Sequence, residues 1–250
     1  MTLEPWVLLA LAGAGLLAGF VDAIAGGGGL LALPALLAAG VPPILALGTN
    51  KVQSVIGTGA AALTYWRGGF VSLKALSLAI ACTYAASFAG AYVVKQIDVS
   101  VLQIAVPGML IAIALYFLLA PRLSDDDRHA RLRWAAFVPV MGAIVGFYDG
   151  IFGPGTGSFL TMGFVALFGL GVTRAAGNTK ILNLASNLGA LTLFIPSGDV
   201  VWAAAGAMAV GQLIGGYLGA RTGIRFGAKL IRPLVVVISL ILAGKLLLVR

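Results

Sequence analysis

The sequence predicts an all-α membrane protein: about eight transmembrane helices in two inverted-topology repeats, with glycine-broken re-entrant or V-shaped hairpins at the centre. Three observations carry this. The 250 residues are 60% hydrophobic and only 10% charged, whereas soluble domains carry roughly 25% charged residues. Apolar runs of spanning length recur along the whole chain, and mean hydropathy is +1.06. One set of motifs occurs twice at a near-constant spacing.

A span needs about 20 apolar residues. Runs of that length cover roughly 6–25, 44–66, 73–94, 99–120, 133–152, 177–195, 200–220 and 229–249. Two shorter apolar pieces, near 28–40 and 156–170, each follow a glycine-rich break. They read either as half-helices of a re-entrant hairpin or as short tilted spans. The stretch Trp6 to Ala25 lacks a basic leader and a small-residue cleavage site, so it reads as a retained helix.

The repeat is direct. GFVDAIAGGGG (Gly19–Gly29) resembles GFYDGIFGPGTG (Gly146–Gly157), GTNKVQS (Gly48–Ser54) resembles GNTKILN (Gly177–Asn183), and ALTYW (Ala62–Trp66) resembles ALTLF (Ala190–Phe194). The offsets are 127 from Asp22 to Asp149, 129 from Lys51 to Lys180 and 128 from Leu63 to Leu191. The chain divides into a first repeat at 1–120, a polar linker at 121–133 holding Asp125, Asp126 and Asp127, and a second repeat at 134–250. Each half has five apolar pieces, an odd number, so the second half starts on the opposite side of the membrane from the first.

The charge agrees with that layout. There are 16 Lys+Arg against 8 Asp+Glu, a net +8. In a soluble protein this would point to nucleic acid, but most of the positive charges sit in short connections between apolar runs. With the linker in the cytoplasm, Arg122, Arg128, Arg131 and Arg133 are inside, with Arg67, Lys74, Arg174, Arg221, Arg225, Lys229 and Arg232, while Lys95 and Arg250 fall outside. A nucleic-acid partner is excluded on this reading. The single cysteine, Cys82, leaves no intrachain disulfide and no cysteine-based zinc site, and the single histidine, His129, lies in the charged linker. No metal or cofactor is expected.

The duplicated motifs hold the chemistry. Unwound backbone at membrane depth is tolerated only where protein buries it or water reaches it. The breaks Gly26, Gly27, Gly28, Gly29 and Gly153–Gly157 therefore mark a candidate cavity, the alternative being that these glycines only permit tight turns and helix contact. They place Gly153, Gly155 and Gly157, with the hydroxyls of Thr156 and Ser158, beside the N-terminal ends of the helices that follow, which favour anions. Lys51 and Lys180 sit after Asn50 and Asn178 in matching apolar helices. A charge at that depth costs several kcal/mol and is a functional candidate; lysine is a compact charge suited to an oxyanion, and the alternative is that both lysines snorkel to the interface. Gln53, Asn183 and Asn187 lie within two turns and add donors. Asp22 and Asp149 each precede a break by four residues. Three roles are open to them: pairing with Lys51 and Lys180, orienting the following backbone, or carrying protons. Trp6, Trp66, Trp134 and Trp202 fit an aromatic belt at helix ends. The small residues Gly211–Gly219 fit helix contact, and Pro34, Pro107 and Pro233 fit kinks or helix starts.

The pairing of GFVDAIAGGGG with GTNKVQS, and of GFYDGIFGPGTGS with GNTKILN, resembles the TauE/SafE sulfite-exporter family, also called the toluene-sulfonate uptake permease family, over nearly the whole chain. The resemblance implies a permease of two inverted halves in the bacterial inner (plasma) membrane. Its expected substrate is a small sulfur-containing anion such as sulfite or an organosulfonate. It places the functional polar residues at Asp22, Gly26–Gly29, Asn50, Lys51, Asp149, Gly153–Gly157, Asn178 and Lys180. The halves differ where Thr49-Asn50 becomes Asn178-Thr179 and where Pro154 replaces a glycine.

The expected activity is secondary transport by alternating access around a midplane site, with protons a candidate coupling ion and a homo-oligomer a candidate assembly. No GxxxxGK[ST] motif is present, so the chain itself is not an ATPase. No catalytic residue is expected: a serine nucleophile needs a base beside it, the sole histidine is in a loop, and HExxH is absent. The competing readings are an anion channel, a transporter of another small organic anion, a non-transporting membrane chaperone, and an aspartyl-type intramembrane protease using Asp22 and Asp149.

Overall fold

The structure, a computed structural model, describes residues 3–98, 100–102, 108 and 133–227. Among these residues it is all helix, with no strand. The elements are α1 Pro5–Ala25, α2 Gly29–Ala38, α3 Pro43–Arg67, α4 Leu73–Val94, α5 Trp134–Ile151, α6 Thr156–Phe168, α7 Val172–Phe194 and α8 Trp202–Phe226. The expected spans at 99–120 and 229–249 fall almost wholly outside the described residues. So do the linker acids, His129, Arg122, Arg128, Arg131, Lys229, Arg232, Arg250, Pro107 and Pro233.

Local chemistry sets the helix ends. Pro5 and Pro43 open α1 and α3, where the missing N–H costs nothing. The Ser72 hydroxyl caps α4 by accepting from the Ala75 amide at 3.4 Å. Gly26 closes α1 in the left-handed region at φ 78°, and Gly155 precedes α6 at φ 84°, so both breaks use backbone that glycine adopts freely. Two ends lie beyond the expected bounds. α7 begins at Val172 rather than 177, and α8 runs to Phe226 rather than 220. Arg174, Arg221 and Arg225, which read as connections between spans, are carried on helix instead; their long side chains let a charged head reach water while the helix continues.

α2 and α6 have 10 and 13 residues, roughly 15 and 20 Å of helix, well short of a hydrocarbon core of about 30 Å. By contrast α1, α4, α5 and α8 are long and apolar enough to cross a membrane. α3 and α7 are as long, but they carry the polar residues inward: Thr49, Asn50, Lys51 and Gln53 on α3, and Asn178, Thr179, Lys180, Asn183 and Asn187 on α7, are all buried. Large apolar residues such as Leu9, Leu17, Ile144 and Val210 are exposed on the outer helices, which is the distribution of a lipid-bathed bundle.

The packing interleaves the two parts of the chain. The most extensive contacts are α1 with α8, α4 with α5, α3 with α8, α4 with α7 and α3 with α7. Exchanging α1 for α5, α3 for α7 and α4 for α8 returns the same set. α1 and α8 run in the same direction: side chains on Gly211, Gly215 and Gly219 would strike the backbone oxygens of Ala12, Leu16 and Phe20 in turn. α4 and α5 also run together, with Gly146 against Thr83 and Gly150 against Ser87. α3 and α7 run oppositely, since Gly48 faces Phe194, Gly59 faces Leu184 and Gly177 faces Tyr65.

One tryptophan departs from the belt reading. Trp6, Trp66 and Trp202 are exposed at helix ends, but Trp134 is anchored inward. Its Nε1–H donates to the Ala75 carbonyl at 3.1 Å, and its ring stacks on Phe164 at 5.7 Å between centroids.

Candidate functional site

The two glycine breaks touch. A side chain on Gly26 would collide with the backbone of Gly157, and one on Gly157 with the backbone of Gly26. The backbone around Gly29 closes on Pro154 in the same way. The Ser158 hydroxyl ties the two breaks by donating to the Ala25 carbonyl at 2.5 Å.

Each lysine crosses to the break of the other repeat. Lys51, on α3, places its Nζ 2.6 Å from Asp149 Oδ2 and donates to the Asp149 carbonyl at 2.6 Å. Lys180, on α7, places its Nζ 2.9 Å from Asp22 Oδ2 and donates to the Asp22 carbonyl. Both lysines are 1% exposed. The aspartates do two jobs at once: each pairs with a lysine and each holds its own break. Asp22 Oδ1 accepts from the Gly28 amide at 3.3 Å, and Asp149 Oδ1 accepts from the Thr156 hydroxyl at 2.7 Å. Gly153 has no side chain to separate it from the second site; a Cβ there would lie 3.1 Å from Lys51 Nζ.

The structure gathers Asp22, Gly26, Gly28, Gly29, Lys51, Asp149, Gly153, Thr156, Gly157, Ser158 and Lys180 about one centre. The amides bond to neighbours on their own helices. Asn50 Oδ1 accepts from Gln53 Nε2 at 2.7 Å, Asn178 Nδ2 donates to the Arg174 carbonyl at 2.7 Å, and Asn183 Oδ1 accepts from Asn187 Nδ2 at 3.2 Å. Gln53 Oε1 is buried with no partner among the described residues, an acceptor left open two residues from Lys51. Gly27, beside Leu30 and Val21, and Gly155, which precedes α6, complete the breaks.

Burying two ion pairs so deep is costly unless further hydrogen bonds satisfy the charges. Here backbone carbonyls and break donors supply them. The chemistry available is that of two cationic seats, each occupied by a carboxylate, flanking a crossing of unwound backbone.

Residues 11–246 match the family described as Sulfite exporter TauE/SafE. The chain belongs to the TauE/SafE sulfite-exporter family. Curated relatives agree. The chain is 45% identical over 234 residues to the probable membrane transporter protein ORF9 of Sinorhizobium sp, covering 94% of this chain and 90% of that one. It is 46% identical over 232 residues to the probable membrane transporter protein YfcA of Escherichia coli strain K12, covering 93% and 86%. The probable membrane transporter protein YdhB of Bacillus subtilis strain 168 is 24% identical over 210 residues, covering 83% and 85%. No solved structure matches. The chain is therefore a multi-pass integral membrane protein of a bacterial transporter family.

Several further contacts in this TauE/SafE protein involve residues to which the sequence assigned no site role. Tyr65 is fully buried, and its hydroxyl donates to the Ala23 carbonyl at 3.2 Å. Ser87 donates to the Ser186 carbonyl at 2.6 Å, and Thr161 donates to Thr179 Oγ1 at 3.0 Å. Buried Gln212 fills the space beside Gly19 and Gly57. Lys95 pairs with Asp199 at 2.6 Å. A signal existed for some: Tyr65 and Thr179 lie inside the duplicated motifs. Ser87, Gln212 and Asp199 lie outside them, in sequence that reads as ordinary helix or loop.

Proposed function

We propose that this protein is a secondary permease for a small sulfur-containing anion such as sulfite or an organosulfonate, working by alternating access around a midplane site. The observation that carries it is the pair of crossed Lys–Asp contacts at the touching glycine breaks. A lysine at bilayer depth whose partner is a carboxylate offers an anionic substrate a seat already shaped for an oxyanion.

The same geometry supports proton coupling. An oxyanion and a carboxylate cannot both sit on one buried ammonium without leaving a net negative charge in a low-dielectric interior. Protonating the carboxylate removes that conflict, so anion and proton travel together. The groups facing Asp149 are Lys51 and the Thr156 hydroxyl, and those facing Asp22 are Lys180 and the Gly28 amide. Among the described residues neither set offers a second cation to hold the displaced charge.

The division into halves at 1–120 and 134–250, joined by 121–133, belongs to this proposal, as do spanning by α3 and α7 and an inverted relation between the halves. Its support is that α3 and α7, which carry matching motifs, run oppositely, and that the packing survives exchange of the two parts. Burial of both lysines favours a gated carrier over an open anion pore.

The test is flux in proteoliposomes loaded with a pH-sensitive dye and offered sulfite, small sulfonates, sulfate and small carboxylates. Sulfite or a sulfonate should move and carry protons, and the neutralised pair Lys51→Met with Asp149→Asn should abolish the movement. Flux of only carboxylates, or normal flux in that variant, overturns the reading.

A further inference from the structure

A groove about 670 Å³ in volume runs along the outer junction of α3 and α8, lined by none of the paired lysines and aspartates. Its walls are apolar and face outward: Leu63, Ile214 and Leu218 are 42–46% exposed. One end is cationic. Arg67 is in the last turn of α3, and Arg221 lies near the end of α8. Because Gly57 abuts Gln212 and Gly216 while Arg67 and Arg221 line the same groove, the two helices run in the same direction and bring both guanidinium groups to one end. Arg221 is held in place there: it donates to the Tyr217 hydroxyl at 2.9 Å and lies 5.4 Å over that ring. Among the described residues neither arginine has a carboxylate partner.

We propose that this groove binds an anionic glycerophospholipid, with the phosphate on Arg67 and Arg221 and an acyl chain along Leu63, Ile214 and Leu218. The observations divide as an amphiphile does. The apolar walls extend about two helical turns from the cations, roughly 10 Å between residues 60 and 67. Guanidinium groups take phosphate oxygens in a forked geometry, and basic residues at the membrane surface attract anionic headgroups. A free phosphate would gain nothing from the walls. A second copy of this chain, related by an axis along the membrane normal, would bring its own Arg67 and Arg221 to the same end, opposing like charges.

The experiment uses the full chain in detergent, stripped of lipid, and native mass spectrometry with phosphatidylglycerol against phosphatidylcholine of the same acyl composition. Phosphatidylglycerol should be retained preferentially. R67Q and R221Q should each weaken that retention about fivefold, and together about thirtyfold. R67K/R221K should keep most of the preference. Leu63→Trp with Ile214→Trp, which fills the groove and spares both arginines, should lower retention of both lipids. Inorganic phosphate at equal concentration should leave the retained lipid unchanged. Equal retention of the two lipids, undiminished retention in R67Q/R221Q, or a dimer that forms through this face and excludes lipid would each overturn the proposal.

Discussion

Lys51 and Asp149 cannot be judged one at a time. Removing one member of a buried pair leaves the other charge unpaired, at a cost of about 3–5 kcal/mol, whereas replacing both with neutral residues of similar shape costs far less. Lys51→Ala alone should therefore lower the thermal midpoint markedly in detergent, and Lys51→Met with Asp149→Asn should recover most of it. Thermal unfolding of the three proteins side by side checks this; equal midpoints would mean the pair is not formed in the membrane. Flux then separates folding from function, because the recovered double variant should still be inert. The sequence made these four charged residues visible, since ionisable groups in oily helices stand out. It left the partner choice open. Asp22 lies 29 residues from Lys51 and 158 from Lys180, and only the crossing of the breaks selects the distant one.

Helix contacts turn on small residues. Gly211, Gly215 and Gly219 recur every four residues on α8 and let α1 approach backbone to backbone. Gly215→Val should force the helices apart at the Leu16 carbonyl, costing about 1–3 kcal/mol; Gly206→Ala, which meets open space on the same helix, should be nearly silent. Comparing the two by thermal unfolding tests the contact directly. This stripe was legible as helix contact, but its partner was not, because small residues carry no address. The bounds of α2 to α5 were legible to within a few residues, since hydrophobicity and proline or glycine punctuation fix them together. Those of α7 and α8 were not: arginines read as loop signals are carried on continuing helix, where charge and helicity no longer conflict.

At the scale of the whole molecule, three ion pairs among the described residues tie sequence-distant parts: two at the centre and Lys95 with Asp199 nearer one end. The third tie is partly solvent-reachable, so Lys95→Ala should cost only about 0–1 kcal/mol. Its position between α4 and the turn before α8 makes it a place to arrest motion. With Cys82 replaced by Ala, a cross-link between Lys95→Cys and Asp199→Cys should stop transport and release it on reduction, if the two parts rock against each other. Unchanged flux in the fully cross-linked protein would exclude movement at that end.

The crossed lysine–aspartate arrangement has a consequence for biogenesis. While the ribosome is still making the chain, Asp22 and Lys51 have already been synthesised and neither of their eventual partners exists. At about 5–20 residues per second, the 158 residues separating Asp22 from Lys180 take roughly 8–30 s to emerge. For that interval the nascent N-terminal portion must shelter unmatched ions beside the insertion machinery, so a polypeptide truncated after residue 120 should be cleared by membrane proteases unless its missing counterpart is supplied in trans.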